Sequence, residues 1–200
     1  MTLTTERLRI TAFTPEMADA VCRNSLDGET ARFLPDEVFE TPEEGRDAIE
    51  RLIDAYQGTE GPFVYPVLLK SGANIGYVQL CPIPEGFEIG YHIAAPFTGK
   101  GYCTEAVLCF LPWIMARLNL DRVYGICAKE NVRSAGVLKR CGFSMYFDGI
   151  DRYHGELRPV QKFIYTAPGF ALRPDRSGDA AHGIMTAQWG NIKMKAPAEI

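Results

Sequence analysis

The run Phe97-Thr98-Gly99-Lys100-Gly101-Tyr102-Cys103-Thr104-Glu105 sets two glycines one residue apart, just ahead of the apolar segment Ala106-Val107-Leu108-Cys109-Phe110-Leu111. Glycine permits positive φ and has no Cβ to hold a ligand off the main chain, so the backbone itself becomes the binding group. A helix opening at Thr104 and Glu105 would aim its unpaired amides over the glycines, where hydrogen bonding and the helix dipole both favour an anion. A pyrophosphate suits such a turn, and a neutral ligand gains little. Thr98, Gly99, Lys100, Gly101, Tyr102, Cys103 and Thr104 are therefore the candidate anion-binding set. Other nucleotide motifs fit worse. A P-loop requires G-x-x-x-x-G-K-[ST], whereas Lys100 is flanked by glycines with no Ser or Thr directly after it; a dinucleotide fingerprint requires a third glycine where Thr104 stands. A plain loop before a helix, or a phosphate site for another nucleotide, stays open on spacing alone.

The elements that must position this turn can be read from periodicity and breakers. Leu8 to Phe13 alternates as a first strand, and Thr14-Pro15 opens a helix through Met17, Ala18, Val21 and Cys22. Thr41-Pro42-Glu43-Glu44 has capping-box spacing ahead of the helical stripe Ala48, Ile49, Leu52, Ile53 and Tyr56. Gly28 to Glu40 reads as a loop. Phe63 to Leu69, Asn74 to Leu80 and Phe87 to Ala94 read as strands joined by short turns, hence an antiparallel meander. After the central helix, Arg122 to Ala128 is a strand, and a helical crossover makes it parallel to Phe87–Ala94. Asn131 caps a short helix that stops at Gly142, and Ser144 to Gly149 pairs with Val160 to Thr166 around a polar loop. The expected fold is α/β, as a mixed α+β sheet with helices on both faces. Its parallel strands must diverge somewhere to admit a ligand.

Composition limits the function classes. Two hundred residues with 46% hydrophobic content support one cored domain, over residues 1–166. From residue 167 to 200, prolines and glycines interrupt every candidate element. Phe170, Ile184, Met185, Trp189, Ile192 and Met194 nevertheless suggest a tail that docks on the domain or on a second subunit, as in a homodimer. A net charge of −4 without any basic run longer than a residue pair argues against nucleic acid. Six cysteines without C-x-x-C spacing indicate reduced, packed thiols, and three histidines offer no metal-ligand spacing. A charged N-terminus and no long apolar run indicate a cytoplasmic protein without membrane contact.

The strand FEIGYHIAAP from Phe87 to Pro96, the glycine turn, Asn131-Val132-Arg133-Ser134 and Lys139-Arg140-Cys141-Gly142-Phe143 together resemble the Gcn5-related N-acetyltransferase superfamily. Within it they are most similar to the ribosomal-protein acetyltransferase (RimJ/RimL-like) branch, whose pattern reads roughly EIGY, Q-G-K-G-Y-A-T-E-A, N-x-x-S and K-x-G-F. The resemblance covers about residues 4–166 and is strongest over Phe87–Phe143. Thr98 departs from it at a Gln/Arg slot, and Cys103 at a small-residue slot.

The resemblance implies acetyl-CoA as co-substrate, without a metal, and direct attack by a primary amine of a protein N-terminus or a small molecule. With acetyl-CoA over the glycine turn, the thioester reaches the strand end at Ile93 and Ala94, where freed N–H groups bind its oxygen; such donors contribute about 3 kcal/mol each. By the same resemblance Ser134 hydrogen-bonds the CoA sulfur and protonates the leaving thiolate, against a plain N3 serine held by its own helix. Asn131 is an N-cap that also touches cofactor or substrate. Cys103 is a packing residue rather than a nucleophile. An amine with a free pKa of about 8 to 10.4 needs help losing its proton. Glu88, the glutamate of EIGY, is the candidate base, against a solvated carboxylate paired across the strand; His92 and Tyr91 are alternatives. His154 belongs to the substrate rim or the surface. The loops 28–40 and 148–159, with Asp36, Glu37, Asp148, Asp151 and Glu156, are expected to line the acceptor site. A non-catalytic acyl-CoA-binding or sensor module is the rival reading.

Overall fold

The structure, a computed structural model, describes residues 1–168. Its strands are β1 (Thr2–Thr4), β2 (Leu8–Thr11), β3 (Phe63–Leu69), β4 (Asn74–Ile83), β5 (Gly86–Ile93), β6 (Arg122–Ala128), β7 (Ser144–Tyr153) and β8 (Glu156–Thr166). Its α-helices are α1 (Ala18–Ser25), α2 (Gly28–Phe33), α3 (Pro42–Ala55), α4 (Tyr102–Leu118) and α5 (Val132–Arg140). The strands form one sheet in the order β1-β2-β3-β4-β5-β6-β8-β7. Every neighbouring pair is antiparallel except β5 and β6.

Helices cover both faces, which explains why β3 is buried along almost its whole length rather than on alternate residues. On one face α4 and α5 bury Val107, Phe110, Leu111, Ile114 and Leu138 against Ile10, Phe63, Val78, Ile89 and Phe163. On the other, α1 and α3 bury Val21, Cys22, Ile49 and Leu52 against Val64 and Tyr77. α3 begins at the expected cap: the Thr41 hydroxyl accepts the Glu44 N–H at 3.2 Å, and the Glu44 carboxylate accepts the Glu40 N–H at 3.0 Å. Among the described residues no helix is long and apolar enough to cross a membrane. All six cysteines are free thiols.

The mixed sheet, the meander and the parallel pair agree with expectation, and four local readings do not. β1 pairs along the outer edge of β2. The Thr14-Pro15 start is a 3-10 turn, Pro15–Met17, whose N-cap side chain makes no capping bond; α1 follows it. The segment 28–40 contains α2, capped by Asp27, and a 3-10 turn at Pro35–Glu37. The polar loop 148–159 is instead most of a long hairpin, with β7 and β8 joined across His154 and Gly155. The tail expected over 167–200 lies outside the described residues beyond Pro168.

Candidate active site

The glycine turn has the geometry its sequence demands. Gly99 and Gly101 sit at φ 74° and 81°, in the left-handed region that β-carbons disfavour. Gly101 is the N-cap of α4, and no side chain caps that end. The first bond of the helix is Glu105 N–H to Gly101 C=O at 3.0 Å, which leaves the amides of Tyr102, Cys103 and Thr104 without intrahelical partners. A Cβ built on Gly99 would meet nothing within 4 Å. The turn is therefore open to an anion.

Two side chains of the candidate set point elsewhere. The Thr98 hydroxyl donates to Ala95 C=O at 3.0 Å, and Lys100 Nζ donates to Pro96 C=O at 3.2 Å above the Phe97 ring. Both close their own turn, so their side chains are engaged within it. The cation that clamps the turn is one that spacing did not reveal. Arg7 donates from Nε to Glu105 at 2.7 Å and from a terminal nitrogen to Lys100 C=O at 2.9 Å, and its guanidinium lies 4.6 Å from the centre of the Tyr102 ring. Thr5 also donates to Glu105 at 2.5 Å. Burial pushes the Glu105 carboxyl up, but the bonds from Thr5 and Arg7 outweigh it and hold the group below the usual range. At the far side of the turn Arg140 donates to the Thr104 hydroxyl at 3.2 Å.

Beside the turn the sheet parts. β5 and β6 share one ladder position, Glu88 opposite Tyr124, and no pair joins them beyond it toward Ile93 and Ala128. Ala94 N–H is already bonded to Ile75 C=O at 2.9 Å, which removes it from the expected thioester donors. Because alternate residues of a strand turn their amides to opposite neighbours, the N–H groups of Tyr91 and Ile93 face the gap. Glu88 spans the gap: its Oε1 accepts the Ile126 N–H at 3.2 Å. Burial raises the Glu88 carboxyl to about 8, against the pull of the Ile126 bond and of Lys162.

The side chains of β5 divide between the two faces. Tyr91 points toward α5, where its hydroxyl donates to Ser134 C=O at 2.9 Å and lies 3.0 Å from Ser134 Oγ. With the phenol proton on the carbonyl, the Ser134 hydroxyl donates to Tyr91. Burial keeps the Tyr91 phenol well above its ordinary pKa. Tyr91 thus lies opposite the face expected of an alternative base. Asn131 accepts the Ser134 N–H at 3.0 Å, so its carbonyl oxygen serves as the helix cap.

Glu88, Gly90 and His92 share the other face with Cys81, Gln79 and Tyr77, their partners on β4. A Cβ on Gly90 would lie 2.6 Å from Gln79 Nε2, so the glycine of EIGY is where the Gln79 side chain crosses β5. Gln79 donates to Glu37 at 3.2 Å. Glu37 is 1% exposed, its other oxygen has no partner, and burial raises it to about 8. The Thr30 hydroxyl donates to Asp27 at 2.8 Å, so its contact with His92 Nε2, also 2.8 Å, is a bond donated by the imidazole. His92 first, its Nε2 3.8 Å from the Asp27 carboxylate, and then the Thr30 amide and hydroxyl hold that carboxyl far below the usual range despite its burial.

These groups line one cavity of about 610 Å³, which runs from the glycine turn through the strand gap to α2 and Tyr153. Glu88, Ile93, Thr98, Gly99, Gly101, Tyr102, Cys103, Thr104, Asn131 and Ser134 all border it, as do Tyr91 and His92. Ala94 and Lys100 do not. The five acids expected at the acceptor end do not border it either. Asp148 pairs with Lys129 at 2.6 Å, Asp151 with Lys162 at 2.5 Å and Asp36 with His154 at 3.1 Å, while Glu37 is buried behind Gln79. Glu156 sits in the hairpin. The acids that border the cavity are Asp27, Glu29 and Glu88.

This arrangement agrees with comparisons to known proteins. The chain is 28% identical over 145 residues to the uncharacterized N-acetyltransferase YnaD of Bacillus subtilis, covering 71% of this chain and 82% of that protein. The crystal structure of a GNAT-family acetyltransferase from Bacillus anthracis superimposes with a TM-score of 0.72 at 23% identity, covering 83% of this chain and 98% of that one. RimL, a ribosomal L7/L12 alpha-N-protein acetyltransferase solved in complex with coenzyme A, superimposes with a TM-score of 0.70 at 19% identity over 83% and 98% of the two chains. A family model described as the acetyltransferase (GNAT) domain matches residues 7–144, from the arginine that clamps the glycine turn to the start of β7. With the glycine turn, the parted strands and the helix after them all inside that span, the chain belongs to the GNAT family and is an N-acetyltransferase.

Proposed function

We propose that this enzyme binds acetyl-CoA with its pyrophosphate on the α4 amides and Arg140 nearby, and passes the acetyl group to a primary amine by direct attack. The reading is supported by one relationship above all: Glu88 and the Tyr91–Ser134 pair sit on opposite faces of the same strand gap, which opens beside the glycine turn. The pantetheine arm enters between β5 and β6, and the thioester oxygen meets the Tyr91 and Ile93 amides.

The acceptor nitrogen approaches from the Glu88 face. Its lone pair forms the new C–N bond, Glu88 takes the proton that the nitrogen must lose, and the tetrahedral intermediate collapses by breaking the C–S bond. The thiolate leaves toward Tyr91 and Ser134: the Ser134 hydroxyl turns its proton from Tyr91 to the sulfur, Tyr91 stays hydrogen-bonded to Ser134, and Ser134 regains a proton from solvent as the one collected by Glu88 is released there. The products are an amide and CoA. The acceptor is a protein N-terminus or a small-molecule amine.

Calorimetric titration with acetyl-CoA and ATP, followed by CoA release over an amine panel, tests this. Acetyl-CoA should bind more tightly than ATP and release CoA only with an amine present. Equal affinities would overturn the cofactor assignment, and binding without release would favour an acyl-CoA-binding module.

A further inference from the structure

The acceptor end of the cavity is walled by two aromatic rings from distant parts of the chain, Phe33 at the end of α2 and Tyr153 at the end of β7. Each is backed by an arginine: the Arg32 guanidinium lies 4.8 Å from the Phe33 ring centre, and that of Arg158 lies 6.0 Å from the Tyr153 ring centre. Both arginines close on one carboxylate. Arg32 meets Glu130 at 3.0 Å and Arg158 meets it at 2.9 Å. Glu130 precedes the cap of α5, so this clasp joins α2, the β6–α5 connection and β8 around the outside of the aromatic wall.

Two further ties run the same way. Glu29 of α2 faces Arg133 of α5 at 3.7 Å, and Asp36 meets His154 of the hairpin turn at 3.1 Å, with the His154 side chain 7% exposed. The inner end of α2 is pinned to β5 by the Thr30–His92 bond. The segment from Asp27 to Asp36 is thus a strap across the parted strands, fastened on both sides. A peptide laid through this end would have to displace it.

Charge restricts the acceptor too. Asp27 and Glu88 face inward, while Arg32 and Arg158 are committed to the outside. A cationic or neutral amine is accommodated between a carboxylate and two aromatic faces; an acceptor carboxylate would meet Glu88 and Asp27, and Arg133, the arginine that borders the cavity beside α2, faces Glu29 at 3.7 Å.

We propose that the acceptor is a compact primary amine on an aromatic or apolar body without a carboxylate, enclosed by the Glu130 clasp, and not the N-terminus of a protein. This rests on the acetyltransferase reading above and narrows it. The purified full chain is to be supplied with acetyl-CoA and either compact arylalkylamines such as phenethylamine, the matching amino acid phenylalanine, or hexapeptides with free N-termini, and CoA release followed. The arylalkylamines should exceed both other arms in kcat/KM by about 100-fold or more, the scale on which a site rejects a group it cannot accommodate. Peptides or phenylalanine used as well as the amines would overturn the proposal while leaving the acetyltransferase reading intact. So would an enzyme that binds acetyl-CoA but releases CoA with none of the three. Failure to bind acetyl-CoA would overturn the underlying reading instead.

Glu130→Ala provides the second measurement. It releases both arginines at an exposed site, so acetyl-CoA affinity should hold while the preference for arylalkylamine over hexapeptide narrows by about tenfold. An unchanged preference would show that the clasp does not exclude peptides.

Discussion

Glu88 Oε1 accepts the main-chain N–H of Ile126 at 3.2 Å, across the place where β5 and β6 stop pairing. In a continued parallel ladder that amide would bond to a β5 carbonyl. Glu88 replaces the missing acceptor, which satisfies a buried N–H and fixes the carboxylate at the mouth of the gap. One residue therefore both ends the strand pairing and presents a raised-pKa carboxylate to the acceptor face. Catalytic and structural readings of Glu88 are compatible, and a single substitution separates them.

Glu88→Gln keeps an oxygen to accept the Ile126 N–H but cannot take a proton. Its thermal stability should stay close to that of the parent near pH 5 and exceed it by pH 7 to 8, because the amide has no proton to lose, while kcat/KM falls by about 10² or more. The pH dependence of the parent-to-variant ratio is diagnostic. With Glu88 raised to about 8, the ratio should be small in acid, where the carboxyl is protonated, and climb toward pH 8. It should fall again above the acceptor's own pKa, where no base is needed. A ratio flat from pH 6 to 10 would reduce Glu88 to its strand-ending role.

Ser134 and Tyr91 share one hydrogen bond and one proposed task, the stabilisation of the leaving thiolate. Ser134→Ala and Tyr91→Phe should each lower kcat by roughly 10-fold to 10²-fold while changing acetyl-CoA affinity little, because the charge they meet exists only as the C–S bond breaks. Combined, they should cost little more than the worse single change. Fully additive losses in a double-mutant cycle would show that the two hydroxyls act separately.

Arg7 lies 98 residues before Glu105, yet ties the β1–β2 connection to the glycine turn. Arg7→Ala removes charge-assisted bonds that hold the turn shape, and Arg7 does not itself border the cavity. Acetyl-CoA affinity should fall by about tenfold, within the usual range for such a bond, with kcat nearly unchanged. An unaltered dissociation constant would mean that the turn keeps its shape unaided.

What could be read from the chain follows the range of the forces involved. The glycine turn, the Asn131 cap and the Gly142 stop depend on φ preferences and bonds spanning a few residues, so spacing exposes them. Gly90 stood in the motif, but its reason, the Gln79 side chain lying over it, is a cross-strand contact. Arg7, Thr30 and Glu130 act through partners 28 to 98 residues away, and no periodicity marks them. α2 is not legible in the sequence because six residues with only Thr30 buried carry no apolar stripe; Asp27, three residues before Thr30, is its one local sign. The last four residues of β7 are not legible as strand because Tyr153 alone in β7 is buried, which leaves its other residues free to be polar.

Glu37 supports a test of stability. Burial raises both Glu37 and Glu88 from 4.5 to about 8 in the folded protein, so between these values the native state holds protons that the unfolded chain has released. For acids shifted upward, the stabilising contribution is complete below the unfolded pKa and is lost as pH rises through the folded one. Without ligand, the protein should lose roughly 1 kcal/mol per pH unit for each group across that window. Glu37→Gln keeps an acceptor for Gln79 and removes one of the two titrations. Urea denaturation should show the variant close to the parent near pH 5 and more stable than it at pH 8 to 9. Parallel stability curves for parent and variant over that range would show that Glu37 is not held protonated in the folded state.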